Sequence, residues 1–159
     1  MNPCPCGSNK HYLACCGLYL GGKACPQTPE ALMRSRYTAY AMANTHYIKK
    51  TMKGLPMLNF NEQEAISWAK SVTWVGLTIL HAQAVNSGEK NGYVEFIANY
   101  LEKNMLKNIH ELSQFQYIQG CWFYVEGTLK PHSKHIKIAP NATCPCGSQK
   151  KFKHCHSRK

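Results

Sequence analysis

Aspartate is absent from this chain of 159 residues, and all eight acidic residues are glutamates. No pair of carboxylates at the spacing of a general acid and base is evident, so the sequence indicates no catalytic residue of that kind. Long apolar runs are also absent, because the longest, around Trp74 to Leu80, falls far short of the roughly 20 residues of a membrane span. The start, Met1 to Cys4, lacks the basic and apolar segments of a secretion signal, which predicts a cytoplasmic protein.

Positive charge is abundant and uneven. Nineteen Lys and Arg residues give a formal net charge of +11, and 44% hydrophobic residues suffice for a folded core. The segment from Lys130 to Lys159 holds basic residues and no acid. Such a segment attracts phosphate-rich or acidic surfaces, and a solvated basic tail is the alternative interpretation.

The nine cysteines are clustered. Four lie between residues 4 and 16, and three lie between residues 144 and 155. In a reducing compartment, clustered cysteines close to His and Lys indicate metal sites more than a disulfide framework.

The two clusters belong to an internal repeat. Residues 4–16 and 144–156 align without gaps as C-P-C-G-S-x-K-x-aromatic-x-x-C-[C/H]. Each copy supplies a C-x-C pair and, after eight intervening residues, two more soft or borderline ligands. This set suits a tetrahedral zinc ion, with iron as an alternative. Segments of this size have no hydrophobic core, so we expect both to depend on bound metal for their folding.

The repeat resembles the SEC-C motif, the zinc-binding tail of the SecA translocase ATPase, which binds the chaperone SecB and ribosomes. The resemblance implies two zinc ions per chain, held by Cys4, Cys6, Cys15 and Cys16 and by Cys144, Cys146, Cys155 and His156. No Gly-x-x-x-x-Gly-Lys-[Ser/Thr] phosphate loop occurs, so ATPase activity is not implied.

Between the repeats, a helical region precedes a region of strands. Thr28 and Pro29 form a helix start, and the patterns predict helices over 31–43, 45–50 and 62–70. Alternating residues predict four strands over 73–85, 93–101, 107–119 and 121–129. We therefore predict an α+β fold, with a zinc module at 1–17, a middle domain at 27–138 and a second zinc module at 142–159.

Motifs of the middle region resemble the YchJ family. They are residues 33–41, M-R-S-R-Y-T-A-Y-A, residues 110–115, H-E-L-S-Q-F, and residues 120–127, G-C-W-F-Y-V-E-G. The resemblance implies a cystatin-like cone, similar to nuclear-transport-factor-2 (NTF2) and SnoaL-like proteins, in which a curved antiparallel sheet wraps around helices. No established activity is implied.

Several polar residues of the middle region fall on faces predicted to be buried. Arg36 on the first helix and Glu111 on the third strand are expected to pair and fix the helix in register, because a buried charge needs a partner. A pocket in the cone is the alternative, with polar and aromatic walls. Its predicted residues are Arg34, Arg36, Tyr37, Tyr40, Glu111, Ser113, Trp122 and Tyr124.

The leading functional hypothesis is a non-enzymatic adaptor that docks a partner of the Sec, chaperone or ribosome type. Its predicted docking residues are Lys10, Lys150, Lys151, Lys153 and Arg158, with Tyr12 and Phe152 either as aromatic contacts or as packing residues of the modules. Direct RNA binding by the modules and a small-molecule ligand or enzymatic activity in the cone are alternatives. A homodimer is also compatible with the sequence.

Two further cysteines lie outside the repeats. Cys25 is interpreted as a spare thiol in a linker, and Cys121 as a small buried residue of a strand.

Overall fold

The computed structural model describes residues 2–131 and 135–157. Within these ranges, helices precede an antiparallel sheet. The helices are α1 Cys16–Leu20, α2 Pro29–Ala41, α3 Thr45–Lys50, α4 Leu55–Leu58 and α5 Glu62–Ser71, and the strands are β1 Thr73–Ala82, β2 Asn91–Glu102, β3 Met105–Ile118, β4 Cys121–Leu129 and β5 Ile136–Lys137. In the described part of the chain, no helix is long and apolar enough to span a membrane.

Side-chain caps define the starts of the three longer helices of the middle region. The Thr28 hydroxyl accepts a hydrogen bond from the Ala31 N–H at 3.1 Å, and Pro29 occupies the first turn of α2. Asn44 and Asn61 cap α3 and α5 in the same way. These caps satisfy amide groups that the first turn of a helix leaves unpaired, which is why the helices begin where the sequence predicts.

The sheet has the order β1-β2-β3-β4, and β5 pairs with the start of β3. Single-residue shifts in register occur between Trp74 and Gly76 and between Ile79 and His81 on β1. A third shift separates Gln114 from Phe115 in the pairing of β3 with β4. Bulges of this kind bend strands, and here they curve the sheet around the helices. The predicted α+β cone with a four-stranded antiparallel sheet is confirmed.

The main core lies between α2 and the concave face of the sheet. Leu32 and Met33 of α2 pack with buried residues of β2 and β3, namely Val94, Phe96, Ala98 and Phe115. At the N-terminal end of α2, Pro29 sits directly over Gly92 of β2, where a Cβ atom would overlap the Pro29 ring. A glycine at this position therefore lets the helix approach the sheet closely.

Three short elements and one residue depart from the sequence-based predictions. Helix α1, helix α4 and strand β5 lie in segments where no regular structure was predicted. The alternation that predicts the strand over 73–85 would place Val75 on the same face as Leu77 and Ile79, but the bulge beside Val75 separates them. Val75 packs against Leu101, whereas Leu77 and Ile79 pack on the main core.

Replacing Gly92 by alanine should destabilise the protein by about 1–3 kcal/mol, because the rigid ring of Pro29 has to move away from the sheet. Gly76→Ala is the matched control, since a Cβ atom at Gly76 meets nothing within 4 Å. Chemical denaturation of both variants measures the difference. Equal unfolding midpoints for the two variants would contradict the close packing of α2 on β2.

Candidate metal centres and cone cavity

The internal repeat of the sequence is a repeat of backbone structure. In each copy the N–H of the first cysteine donates to the carbonyl of the lysine six positions later, at 2.8 Å for Cys4 and 2.8 Å for Cys144. Asn9 and Gln149 occupy equivalent left-handed positions with φ of 60° and 59°. A short 3-10 turn follows in each copy, at Tyr12–Ala14 and Phe152–His154. The tight turn thus directs the four ligand side chains of each copy to one point.

The N-terminal cluster has four cysteine sulfurs within 4.8 Å of one another. The Sγ atom of Cys15 lies 3.7 Å from that of Cys6 and 3.9 Å from that of Cys16. A tetrahedral ion with metal–sulfur bonds of about 2.3 Å has sulfur–sulfur edges of about 3.8 Å. The donor set and spacing therefore fit a metal ion bound by Cys4, Cys6, Cys15 and Cys16.

Protonation of these thiols is tightly linked. The Cys16 thiol donates a hydrogen bond to Cys6, which holds the pKa of Cys6 at about 4. The same bond, together with burial, raises the pKa of Cys16 well above its ordinary value. Without a cation the cluster retains protons between its sulfurs, and a bound metal ion replaces them.

The C-terminal cluster has three cysteines and one histidine with ligand atoms within 4.8 Å of one another. The Nδ1 atom of His156 lies 3.2 Å from the sulfurs of Cys144 and Cys155, and the sulfurs of Cys146 and Cys155 are 3.6 Å apart. Burial raises the pKa of Cys144 to about 11. Burial also acts to raise the pKa of Cys146, but hydrogen bonds with Ser148, Cys144 and Cys155 together outweigh it and lower that pKa. This donor set also fits a metal ion.

The N-terminal module forms part of the main core. Cys4, Cys6 and Cys16 are at most 4% exposed and pack with the core residues of α2 and β2. Arg34 of α2 donates to the Cys6 carbonyl at 3.0 Å and to Glu30 at 2.8 Å. The prediction that Arg34 lines a pocket is therefore wrong, because its side chain is turned towards the N-terminal module.

The C-terminal module covers the outer face of the sheet. Phe152 is 1% exposed and packs with Leu101 and Val75, on the face opposite to Ala98. Phe152 is therefore a packing residue of the module, and the alternative prediction that its ring contacts a partner is wrong. Tyr12, its counterpart in the first repeat, is half-buried and packs on the main core.

The predicted docking lysines all lie on the surface. Lys10 is exposed on the N-terminal module, and Lys150, Lys151 and Lys153 are exposed around the C-terminal module. The fifth predicted docking residue, Arg158, lies outside the described residues.

A cavity of about 460 Å³ lies between the helices and the concave face of the sheet. Six of the eight predicted pocket residues line it: Arg36, Tyr37, Tyr40, Glu111, Ser113 and Tyr124. Sequence patterns did not indicate the other major wall residues. These include Phe60, Trp68 and Trp74. The ring of Trp68 makes edge contacts with Trp74, at 5.2 Å between ring centres, and with Tyr40.

The buried polar groups of the cavity are connected through Tyr124. Arg36 donates to the Ile48 carbonyl and to the Thr51 hydroxyl, each at 2.8 Å, and its guanidinium lies 4.7 Å from the centre of the Tyr124 ring. The Tyr124 hydroxyl donates to Glu111 at 3.1 Å. The predicted direct pair between Arg36 and Glu111 is therefore absent from the ion pairs of the described residues, because the tyrosine ring lies between the two charges.

Gly127 of β4 makes room for this arrangement. A Cβ atom there would overlap the Tyr124 hydroxyl and lie 2.6 Å from the Glu111 Cδ atom. Burial and the adjacent Glu111 carboxylate raise the pKa of Tyr124, so its hydroxyl remains protonated as a donor. A second donor, the indole N–H of Trp74, is buried without a hydrogen-bond partner among the described residues.

Trp122 lies outside the cavity, contrary to the prediction. Its indole N–H donates to the Gln27 carbonyl at 3.2 Å, and its ring packs against Tyr117 with centres 5.3 Å apart. The linker before α2 covers this end of β4, so Trp122 anchors the linker. His110 of β3 pairs with Glu95 at 2.7 Å and does not line the cavity.

The fold and its two cysteine clusters define the class of protein: an NTF2-like cone that carries at each end a small module with four candidate metal ligands. The family model described as "YchJ, middle NTF2-like domain" matches residues 28–127, and the SEC-C motif model matches residues 2–18 and 141–158. The chain belongs to the YchJ family, and its curated relatives carry the name UPF0225. A UPF0225 protein of Geobacter sulfurreducens is 38% identical over 97% of both chains, and one of Serratia proteamaculans is 40% identical over 98% of this chain and 97% of its own.

Solved structures show the same fold. The solution structure of a SEC-C motif protein from Rhodopseudomonas palustris is 36% identical and covers 80% of this chain and 98% of its own, with a TM-score of 0.72. The crystal structure of a SEC-C motif protein from Psychrobacter arcticus is 27% identical and covers 98% of this chain and 95% of its own, with a TM-score of 0.71.

Purified protein should contain one metal ion per cluster. Cys15→Ser and Cys155→Ser occupy equivalent positions of the two repeats, and each should lose one equivalent by elemental analysis. Cys25→Ser, a cysteine outside both clusters, should retain two equivalents. Because thiols must lose protons to bind metal, release should increase as the pH falls.

Loss of metal from the N-terminal cluster should affect the structure differently from loss of metal from the C-terminal cluster. Cys15→Ser should lower the melting temperature of the cone, because its cluster is part of the main core. Cys155→Ser should act locally on the outer face around Phe152. Full metal content in both serine variants would contradict the assignment of the clusters.

Proposed function

We propose that the protein is a zinc-stabilised docking protein, with the C-terminal module as the principal contact with an acidic macromolecular partner. The observation that carries this proposal is the exposure of Lys150, Lys151 and Lys153 around a module whose single aromatic ring faces inward. The proposed domain boundaries are those of the sequence prediction, 1–17, 27–138 and 142–159.

Zinc is the proposed ion at both clusters. Four cysteines at one end, and three cysteines with one histidine at the other, form closed tetrahedral donor sets. Such sets leave no ligand position for water, so the zinc has a structural role here. Each ion would hold the four ligands of its module and fix the position of the surrounding lysines.

The two modules differ in what they can offer a partner. The N-terminal module is packed against α2 through Cys4, Cys6 and Cys16, and it contributes a lysine at position 10. The C-terminal module rests on the sheet through Phe152 and directs its lysines outward. The first is therefore assigned a mainly structural role, and the second the docking role.

An acidic protein surface fits this module better than single-stranded RNA. Proteins that bind single strands stack bases on aromatic side chains, and Phe152 is buried against Leu101. Among the described residues of the module, no Phe, Tyr or Trp ring is exposed beside the lysines. By resemblance to the SecA tail, the partner would be a chaperone or ribosomal protein in the cytoplasm.

Reversing two of these charges tests the proposal. Lys150→Glu with Lys151→Glu should weaken partner capture by about tenfold at low salt and reduce its dependence on salt, because two favourable charge contacts become repulsive. Lys49→Glu with Lys50→Glu is the matched control, since these adjacent lysines are exposed at the end of α3.

Capture is measured by cross-linking the full zinc-loaded chain to its partners in a lysate of its source organism, with and without nuclease. Unchanged capture by the variant at positions 150 and 151, or equal losses in both double variants, would reject the docking surface. Loss of the captured partner after nuclease treatment would favour RNA binding.

A small-molecule ligand in the cone is the second candidate function. The cavity volume of about 460 Å³ lies within the usual range for ligand sites. Seven of its nineteen lining residues are aromatic, and the buried N–H of Trp74 has no partner among the described residues. These features suit a flat, mostly apolar molecule that carries a hydrogen-bond acceptor.

Blocking the cavity tests this candidate. Ala65 of α5 lines the cavity, and Ala65→Trp should fill part of it. Mass spectrometry of the small molecules released from denatured protein should detect a compound bound by the natural chain and absent from the variant. Identical extracts from the two proteins would contradict a ligand in the cone.

A further inference from the structure

Two cysteines outside the metal clusters lie next to each other. Cys25 belongs to the linker between α1 and α2, and Cys121 is the first residue of β4, 96 positions later. Their Sγ atoms are 2.8 Å apart. This is closer than the sulfur–sulfur distances of 3.6 to 3.9 Å given above for the clusters, and no further metal ligand accompanies the pair among the described residues.

Contacts of the neighbouring residues hold both cysteines in place. The residue after Cys25, Pro26, is buried, and the Gln27 carbonyl accepts the indole N–H of Trp122. The Gln27 side chain donates to the Cys25 carbonyl at 2.9 Å. Cys121 follows a tight turn in which Gln119 and Gly120 have positive φ angles of 50° and 87°. The linker and the sheet thus approach each other at this point independently of the two thiols.

We propose that Cys25 and Cys121 form a reversible disulfide by exchange with a low-molecular-weight disulfide. The thiolate of Cys25 attacks the small disulfide, which breaks its S–S bond, releases one small thiol and leaves a mixed disulfide on Cys25. The thiolate of Cys121 then attacks the Cys25 sulfur and releases the second small thiol. The protein loses two protons and two electrons, which is two hydrogen atoms in all, and the small disulfide takes them up as it is reduced to two thiols.

The order of attack follows from the surroundings of the two sulfurs. Cys25 is exposed, whereas Cys121 is only partly accessible. The hydrogen bond to Cys25, together with burial, raises the pKa of Cys121, so less of this thiol is ionised. Cys25 is therefore the accessible attacking thiol, and Cys121 closes the bond.

The disulfide would tie the linker of the N-terminal module to the edge of the cone. In the reduced chain, the hydrogen bond between Gln27 and Trp122 holds the linker near β4, and Pro26 of the linker is buried. In the oxidised chain, a covalent ring would run from the linker through α2 and the sheet to β4. Metal-bound cysteines of the two modules would not exchange, because their thiolates are engaged by the ion.

Treatment of the metal-loaded full chain with oxidised glutathione tests the proposal. The expected product is a chain that is lighter by two hydrogens, about 2 Da, with Cys25 and Cys121 cross-linked in a non-reducing peptide map and both metal ions retained. Excess reduced glutathione should reverse the reaction.

Two single-cysteine substitutions separate the two steps of the exchange. Cys121→Ser should accumulate a glutathione adduct on Cys25, because the closing thiol is missing. Cys25→Ser should react more slowly at the less accessible Cys121 and should form no cross-link. Stable adducts on both cysteines of the natural chain would overturn the proposal, and so would a disulfide that joins either cysteine to a metal-cluster residue.

Discussion

Three cysteine sulfurs packed into the main core impose the strongest constraint on this molecule. Cys4, Cys6 and Cys16 are almost fully buried under α2, where ionised sulfur is costly unless a cation neutralises it. A metal ion satisfies that requirement and replaces the protons that the thiols otherwise share. The placement of Arg34 on the Cys6 carbonyl and the packing of the first module against α2 would therefore be coupled to a metal ion held at this cluster.

The same thirteen-residue pattern serves two different purposes at the two ends. Its hydrogen bonds and left-handed turns are nearly identical in both copies, yet one copy is inserted into the core and the other is laid on the outer face. The aromatic position shows the difference, because Phe152 is fully buried against Leu101 whereas Tyr12 is half-buried. This asymmetry supports a structural role for the first module and an exposed charged surface for the second.

The cone separates its buried charges with an aromatic ring. Arg36 fixes the end of α3 through the Ile48 carbonyl and Thr51, and Tyr124 lies between it and Glu111. Hydrogen bonds satisfy both charged groups without direct contact, which leaves open space beside them. Gly127 is necessary for this geometry, since any larger residue would displace the tyrosine or the carboxylate.

Local sequence patterns were sufficient to predict many features of this structure. The repeat predicted the two sets of ligands that converge, the caps predicted the start of α2, and alternation placed Glu111 and Ser113 on the concave face. These features depend on residues close in the chain, whose geometry follows from spacing alone. Tertiary structure alone decided which way Arg34, Trp122 and Phe152 face and brought Cys25 to Cys121. Such contacts join segments far apart in sequence, and they depend on strand bulges and on the docking of each module, which periodicity does not encode.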